Sequence, residues 1–400
     1  MADSLKNVVV VGGSYVGLAT AQELVSALSP DTYRVLVIEK NSHFSHLFAF
    51  PRFALTKPGL HEHKAFIPFA SVLRPPHSIV QAAALSISPT TVTLDRPIVI
   101  NGVSSNIIPF EALVMATGTA LSPPGTLPGT TKQEGVDWFQ EHQARVEKAK
   151  NIVIIGGGAV GVQTACDIPI LFSGSSKSVT LVHSRKQLMP RFHPALSDIV
   201  QKRFDELGVK TVLGSRAVVP EGGWESVKDG GKILLEDGRE VEGDLIILTT
   251  GQTPLSSILK DAAPAAINAN GFVKVKPSFQ VDAPGFERVY AVGDIADSGA
   301  PKAARPGGVM AGVVARNVQK ALEGKTDAFE AYVPDPAAIH LTLGINESII
   351  FINPPSSDPK DPLNTFVGEP TVTWKDDGRE DMGIEGVWER RAPGVKDFKL

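Results

Sequence analysis

Residues 7–40 combine a glycine-rich turn with a carboxylate at a spacing that suits nucleotide binding. The turn consists of Gly12, Gly13, Ser14, Tyr15, Val16 and Gly17. Backbone N–H groups of such a turn can approach a pyrophosphate, which then lies at a helix N-terminus. Glu39, about 20 residues beyond the turn, can accept hydrogen bonds from both ribose hydroxyls and would repel a 2′-phosphate. The pattern therefore predicts a dinucleotide site for an adenosine with a free ribose.

The flanking residues predict a strand–helix–strand unit around this turn. Residues 8–11 form the continuous apolar run that a strand buried on both faces requires. A second apolar strand, residues 35–38, leads directly to Glu39. An ordinary strand-to-helix turn is the alternative for this stretch alone, because Ser14 replaces the middle glycine of the usual fingerprint.

A second unit of the same kind follows the apolar strand 152–155. Its helix start carries Gly156, Gly158, Ala159, Val160 and Gly161. Its second strand, 179–182, is followed by His183, Ser184, Arg185 and Lys186, with Arg191 a few residues later. Because no carboxylate ends this strand, and because arginine binds phosphate through charge-assisted hydrogen bonds, the pattern predicts that NADPH is used at least as well as NADH. The alternative is a solvated basic loop that ignores the 2′ position.

Three further short apolar strands each lead to a glycine, and together with the two units they make five elements. Residues 112–118 and 245–251 are apolar runs ending in Gly118 and Gly251, and residues 287–297 contain Gly293-Asp294. The five elements, in this order and spacing, resemble the two-dinucleotide-binding flavoproteins related to glutathione reductase. The resemblance covers roughly residues 7–325. It implies that the first unit binds FAD, the second binds NAD(P)H, and Asp294 binds the flavin ribitol.

Residues 41–55, 61–69 and 300–308 narrow the resemblance to the apoptosis-inducing factor 2 group, which has many fungal members. The group implies an FAD-dependent NAD(P)H oxidoreductase whose usual acceptors are quinones. Its FAD contacts map onto the residues already named in the first unit and on Lys40, Arg52, Ala84, Ala116, Thr117, Gly118, Gly293, Asp294, Pro301 and Lys302. Gln163 stands where many relatives have a glutamate facing flavin and nicotinamide, so Gln163 and Lys302 are the candidate catalytic residues.

The expected fold is α/β, with two Rossmann-like dinucleotide-binding domains of the glutathione-reductase type and a small C-terminal α+β segment. Residues 1–120 and 244–326 are predicted to form a discontinuous FAD-binding domain, residues 121–243 the NAD(P)-binding domain, and residues 327–400 the C-terminal domain. A length of 400 residues and an apolar content of 42% suit two or three domains with sizeable cores.

Composition excludes several classes of function. A formal net charge of −4 gives no electrostatic basis for nucleic-acid binding. The single cysteine, Cys166, allows no internal disulfide and no dithiol chemistry, so disulfide reduction and sulfide oxidation are not expected. His43, His46, His61 and His63 lack accompanying ligands at metal-binding spacing, and no metal is predicted.

The sequence predicts a cytoplasmic monomer or homodimer that uses a small quinone-like acceptor. No signal peptide, N-myristoylation glycine or membrane span is recognised. The tail, residues 388–400, mixes Trp388 and Phe398 with basic residues, so a weak membrane-surface contact and a solvated tail are both open. Reduction of an electron-carrier protein, a dedicated small substrate in a fungal pathway, and a redox-sensing flavoprotein that binds a partner remain alternatives.

Overall fold

The structure, a computed structural model, describes residues 5–70, 72–358, 361 and 363–400. Its first part carries the strands and helices β1 (Lys6–Val11), α1 (Tyr15–Ala27), β2 (Tyr33–Glu39), β3 (His43–Ser45), α2 (Phe50–Phe53), β4 (Phe66–Pro68), β5 (Ser78–Gln81), β6 (Ala84–Ile87), β7 (Thr91–Ile100), β8 (Val103–Pro109), β9 (Ala112–Met115) and β10 (Thr119–Ala120). The predicted strand–helix–strand unit around the first glycine turn is thereby confirmed.

The next part contains α3 (Lys132–Lys148), β11 (Asn151–Ile155), α4 (Ala159–Leu171), β12 (Ser178–His183), α5 (Pro194–Leu207), β13 (Lys210–Leu213), β14 (Gly231–Leu234), β15 (Glu240–Gly243) and β16 (Leu245–Leu248). The final part contains β17 (Thr253–Pro254), β18 (Val273–Lys274), β19 (Val289–Ala291), β20 (Ala296–Asp297), α6 (Ala304–Leu322), β21 (Ala338–Thr342), β22 (Ser348–Ile352), β23 (Thr371–Lys375) and α7 (Ile384–Arg391).

The first sheet places the carboxyl ends of five parallel strands at one edge. Its order is β19-β9-β1-β2-β5, and every neighbouring pair is parallel. Val8, Val9 and Val10 are fully buried, as expected for a strand covered on both faces. Helices α1 and α6 pack against each other over this sheet. The edge formed by the ends of β1, β2, β9 and β19 is where ligands bind in open α/β sheets.

The second sheet has the order β13-β12-β11-β16 and is also parallel. Because β16 pairs with β11, the chain returns to the first sheet after residue 248, and not at residue 244 as predicted from the sequence. Within residues 216–219, Ala217 forms only an isolated bridge with Leu235. Helix α3 begins at Lys132, because Thr131 and Glu134 form a capping box there.

Two short antiparallel strands join the halves of the molecule. β10 lies just before the chain enters the second half, and β17 lies just after it leaves. They pair as Thr119 with Pro254 and Ala120 with Thr253. Both crossings therefore run side by side, and we call this pair the crossing ribbon.

The C-terminal residues contribute to cores of both halves. Strands β21, β22 and β23 form an antiparallel sheet, in keeping with the predicted C-terminal α+β segment. Leu341 and Phe351 pack with residues of the second sheet. Trp388, on α7, is 1% exposed and packs in a cluster with Phe44 and Phe66 from the first part of the chain.

Trp388 and Phe398 of the tail are therefore packed against the rest of the chain, while the basic residues Arg390, Lys396 and Lys399 are exposed, and the weak membrane-surface contact stays a prediction. The indole Nε1 of Trp388 donates to the carbonyl oxygen of Lys64 at 2.8 Å, and its ring meets Phe398 edge-on at 4.9 Å. Arg391 lies 3.8 Å above the Phe44 ring. Throughout the described ranges, no helix combines the length and apolar character that a membrane span requires.

Candidate functional site

The first glycine turn lies at the carboxyl end of β1 and opens α1. Gly12 has a φ of +109°, and a side chain there would overlap the carbonyl oxygen of Ala116. Ser14, the residue before α1, makes no side-chain cap hydrogen bond. Tyr15 and Val16 form the first turn of the helix, with the Tyr15 hydroxyl 2.9 Å from Nδ1 of His46. The backbone N–H groups at the helix start are therefore not capped by a side chain and suit an anion.

Glu39 is tied directly to this turn. Its Oε2 accepts from the backbone N–H of Gly13, and Oε1 accepts from Asn41 N–H at 2.7 Å. Burial raises the pKa of Glu39, and these two hydrogen bonds oppose the rise. Lys40 is exposed just beyond the strand, and Ala84 starts β6 close by, since Ala82 N–H donates to the carbonyl of Glu39. The carboxylate is held where the sequence predicts the adenosine ribose.

The Gly293-Asp294 motif reaches the same edge from β19. Gly293 has a φ of +75°, and a Cβ there would lie 3.1 Å from Cγ1 of Val16. Asp294 is therefore close to the start of α1. Ala116, Thr117 and Gly118 follow β9 between these two elements, and Oγ1 of Thr117 is buried without a hydrogen-bond partner in the described chain. The structure thus brings the predicted FAD residues of three strand ends together.

Lys302 and Pro301 lie in the loop that leads into α6. The Lys302 ammonium donates to the carbonyl of Ala296 and sits 4.5 Å from the Phe272 ring centroid. Burial lowers the pKa of Lys302, while the charge of Asp294 opposes that shift. Lys302 is therefore near Asp294 and is not a free surface lysine.

Arg52 lies elsewhere than the resemblance implies. It is 1% exposed, and its guanidinium binds both carboxylate oxygens of Asp167 at 2.9 and 3.0 Å. Its remaining hydrogen bonds go to the carbonyls of Gly344 at 2.9 Å, Arg379 at 3.0 Å and Ile345 at 3.4 Å. Because protein acceptors take all the donors of the guanidinium, Arg52 joins α2, α4 and the C-terminal residues and does not serve as an FAD donor.

Gln163 lies one turn before Asp167 on α4 and faces the C-terminal residues. Its Nε2 is 3.9 Å from the sulfur of Met382. Its side chain also hydrogen bonds Asp167, which lowers the pKa of that acid against the larger, opposite effect of burial. Gln163 is therefore beside the buried ion pair, and its predicted role next to nicotinamide stays a prediction.

The second glycine turn has the same geometry as the first, but it contacts a histidine where the first turn contacts a glutamate. Gly156 has a φ of +126°, and a side chain at Gly161 would overlap the Gly156 carbonyl, so α4 starts as tightly as α1. Nδ1 of His183 accepts from the backbone N–H of Gly157 at 3.0 Å, and this pair is separated by 26 residues, the same spacing as Gly13 and Glu39. His183 therefore occupies the position that Glu39 has in the first unit.

His183 presents a donor at this position, where Glu39 presents an acceptor. Burial, together with the charge of Arg185, lowers the pKa of His183, so the ring is neutral at pH 7. Since Nδ1 accepts, the proton of the neutral ring is on Nε2. Nε2 is buried and makes no hydrogen bond of normal geometry to the described residues, although the Gln187 backbone lies close enough to oppose the fall in the pKa of the ring. An N–H donor of this kind at the ribose position suits an acceptor such as a phosphate oxygen.

A cavity of about 660 Å³ extends from this turn. Most of the predicted NAD(P)H residues line it, namely Gly156, Gly158, His183, Arg185, Arg191 and Gly251, and Ala159 and Val160 form the adjoining helix start. The lining residues that were not predicted include Arg216, Trp224, Thr249, Thr250 and Gln252. Thr249, Thr250 and Gln252 had a sequence signal, because they flank the strand-ending Gly251.

Arg191 and Arg185 belong to different ends of the cavity. Arg185 lies beside His183. Burial raises the pKa of Asp294 and lowers that of Lys302, and the charge of Arg191 acts on both groups. Arg191 is therefore near the first dinucleotide site. Arg185 and Arg216 both line the cavity, and the arginine that would meet a 2′-phosphate stays a prediction.

Both predicted cofactors fit the residues present. Each glycine turn is too tight for a side chain, each is tied to the end of its second strand, and each site retains a buried polar atom that makes no hydrogen bond of normal geometry to the described residues, Thr117 Oγ1 or His183 Nε2. Proximity of Arg191 to Asp294 indicates that the two sites meet.

Known proteins show corresponding similarities. The profile of the pyridine nucleotide-disulphide oxidoreductase family matches residues 6–318. Fe-regulated protein 8 of Mycosarcoma maydis is 35% identical, over 98% of this chain and 96% of that protein. Ferroptosis suppressor protein 1 of Mus musculus is 27% identical, over 86% of this chain and 87% of that protein. The sulfide:quinone oxidoreductase of Aquifex aeolicus has the same fold, with a TM-score of 0.73 at 20% identity, covering 98% of this chain and 93% of that structure.

Proposed function

Since the chain belongs to the pyridine nucleotide-disulphide oxidoreductase family, in its group of apoptosis-inducing factor homologues and ferroptosis suppressor-like proteins, and is thus an oxidoreductase that uses FAD and NAD(P)H, we propose that its acceptor is a small quinone-type molecule. Bound FAD would supply the chemistry, taking two electrons from NAD(P)H and passing them to that acceptor.

The observation that carries the proposal is the burial of Cys166. It is the only cysteine of the chain, it lies on α4 and it is fully buried. Burial raises the pKa of its thiol, so it is not a reactive thiolate. Without a dithiol, electrons pass from the cofactor to an external acceptor directly.

The residues at the first site hold and orient the cofactor. Glu39 and the glycine turn suit the adenosine and pyrophosphate, and Asp294 suits a ribitol hydroxyl. The start of α6 adds about half a positive charge near the far end of the same groove, which favours an anionic group there. None of these roles requires proton transfer, in keeping with the lack of a nucleophile–base pair among the predicted residues.

An exposed aromatic residue beside this site supports an apolar acceptor. Phe48 is 55% exposed, although large apolar side chains are usually covered. Its ring lies 4.9 Å from that of Tyr15, in the first turn of α1. We propose that Phe48 receives the flat face of the quinone.

Stopped-flow reoxidation tests the proposal. Protein reduced anaerobically by NADPH is mixed with a short-chain quinone, a ferredoxin, ferricyanide or oxygen. The quinone is expected to react fastest, and Phe48→Ser should slow that reaction about 10-fold while leaving ferricyanide unaffected. Faster reaction with the ferredoxin would instead identify a reductase of a carrier protein, and slow reaction with all four would oppose an acceptor of this kind.

We also propose two nucleotide-binding domains, in which the chain returns to the first domain at β17. We further propose a cytoplasmic location. A single buried thiol suits a reducing compartment. A fluorescent fusion that concentrates in an organelle would contradict the location. Light scattering would distinguish a monomer from a homodimer, the two oligomeric states that the sequence leaves open.

A further inference from the structure

A glutamine directly before the crossing ribbon lies between the two nucleotide sites. Gln252 immediately precedes β17 and lines the 660 Å³ cavity beside Gly251. We infer that Gln252 binds the carboxamide of the nicotinamide ring and so positions that ring against the first site. This inference rests on the proposed use of NAD(P)H and names the residue that holds its reactive end.

The amide nitrogen of Gln252 is anchored on the side of the first site. Nε2 donates to Oγ1 of Thr119 at 3.0 Å and to Oδ2 of Asp294 at 3.3 Å. An ionised carboxylate only accepts hydrogen bonds, so the amide atom that faces Asp294 must be the nitrogen. These two bonds use both hydrogens of Nε2 and fix the orientation of the amide.

The amide oxygen is left for a ligand. Oε1 of Gln252 has no hydrogen-bond partner among the described residues, and the side chain is only partly buried. Among the other polar side chains near this end of the cavity, the Asp294 carboxylate already accepts from Gln252 Nε2 and hydrogen bonds with the Thr119 side chain. Arg191 and Lys302 are donors, and Oγ1 of Thr249 is engaged with the carbonyls of Ile155 and Gly156 at 3.1 and 3.0 Å.

The chemistry of the nucleotide identifies what this oxygen receives. Its pyrophosphate carries acceptors and no donor at neutral pH, so it suits Arg191 and the backbone N–H groups of the glycine turn. The nicotinamide carboxamide carries an NH₂ group that needs an acceptor. Gln252 Oε1 supplies one at the end of the cavity that is joined to Asp294, which is where the nicotinamide must lie for transfer to FAD.

Binding of oxidised nucleotides to the FAD-loaded protein tests the inference without turnover. NADP⁺ is compared with its 3-acetylpyridine analogue, in which a methyl group replaces the carboxamide NH₂. One hydrogen bond predicts that wild type binds NADP⁺ about 2- to 10-fold more tightly than the analogue. Gln252→Met should bind the two nucleotides equally. Dissociation constants are measured by calorimetry.

Thr253→Val is the matched control, because Thr253 is exposed on the same ribbon and should retain the wild-type ratio. If Gln252→Met fails to fold or to bind FAD, Thr119→Val replaces it, since it removes one anchor of Nε2 and should lower the ratio. A ratio that is unchanged in the variant, or equal affinities in wild type, would overturn the role of Gln252. Failure of wild type to bind either nucleotide would instead overturn the proposed function.

Discussion

The protein is predicted to use NADPH at least as well as NADH, and exchange of His183 for glutamate should shift its use strongly toward NADH. In the first unit Glu39 accepts from Gly13 N–H, and in the second His183 accepts from Gly157 N–H over the same 26-residue separation. A glutamate at 183 can therefore keep the contact with the turn. What changes is the group offered to the ribose, from the Nε2–H donor to a carboxylate.

The size of the effect has two contributions. Loss of a hydrogen bond from Nε2–H to a charged phosphate costs about 1.5–3 kcal/mol. Repulsion between a carboxylate and one phosphate charge ~5 Å apart is about 3 kcal/mol at an effective dielectric constant of ~20, and solvent around the exposed Arg185 reduces it to roughly 1–3 kcal/mol. The sum, about 2.5–6 kcal/mol, corresponds to a change of roughly 10²- to 10⁴-fold in the NADPH:NADH ratio of kcat/KM.

The assay is steady-state reduction of ferricyanide with each nucleotide in wild type, His183→Glu and His183→Gln. Glutamine is the matched control, because its oxygen can accept from Gly157 while its NH₂ group still donates, and it should retain the wild-type NADPH:NADH ratio. FAD content should be the same in all three proteins, since the substitution is in the second unit. A ratio in His183→Glu within about threefold of wild type would refute the assignment of His183 to the 2′ position.

Asp294→Ala should weaken FAD binding about 10- to 150-fold, because a ribitol hydroxyl loses a charged partner, and flavin absorbance per protein measures this; full retention of flavin would contradict it. Arg52→Met should lower the free energy of unfolding by about 3–5 kcal/mol, because Asp167 is left buried and unpaired, while flavin still binds. Adding Asp167→Leu should restore much of that loss, and selective loss of FAD in place of stability would return Arg52 to the cofactor site. Burial lowers the pKa of His46 to about 4, so below pH 6.5 the unfolded chain binds a proton that the folded chain does not. Stability should therefore fall by about 1.4 kcal/mol per pH unit down to pH ~4, and urea unfolding of His46→Asn, which keeps an acceptor for Tyr15, should show a shallower fall.

Local sequence patterns predicted most of the fold. Both strand–helix–strand units and the apolar strand before Gly293-Asp294 are confirmed, because apolar runs and glycine turns reflect contacts between residues that are close in sequence. The return crossing was misplaced because β16 reads as a short apolar strand, and its partner β11 lies almost 100 residues earlier. The sequence alone does not indicate which of the two sheets such a strand joins.

Long-range polar contacts explain the errors within the site. Arg52 binds Asp167, 115 residues later in the sequence, and the Gly344 carbonyl, 292 residues later. The residues near position 52 therefore do not indicate an ion pair. Arg216 and Trp224 reach the cavity from irregular segments without a motif. His183 was predicted as a nucleotide residue, yet the proton on its Nε2 follows only from the contact with Gly157.

The packed tail has a consequence for how the protein acquires its cofactor during synthesis. Trp388 hydrogen bonds Lys64 across 324 residues, and Arg391 covers Phe44 and Tyr15, which follows the first glycine turn. The surroundings of the earliest nucleotide-binding residues are therefore incomplete while the ribosome is still making residues 384–391. Contacts of such high sequence separation form late and slowly. FAD supplied during translation should consequently be released readily, and tight retention should begin only when α7 has emerged and docked.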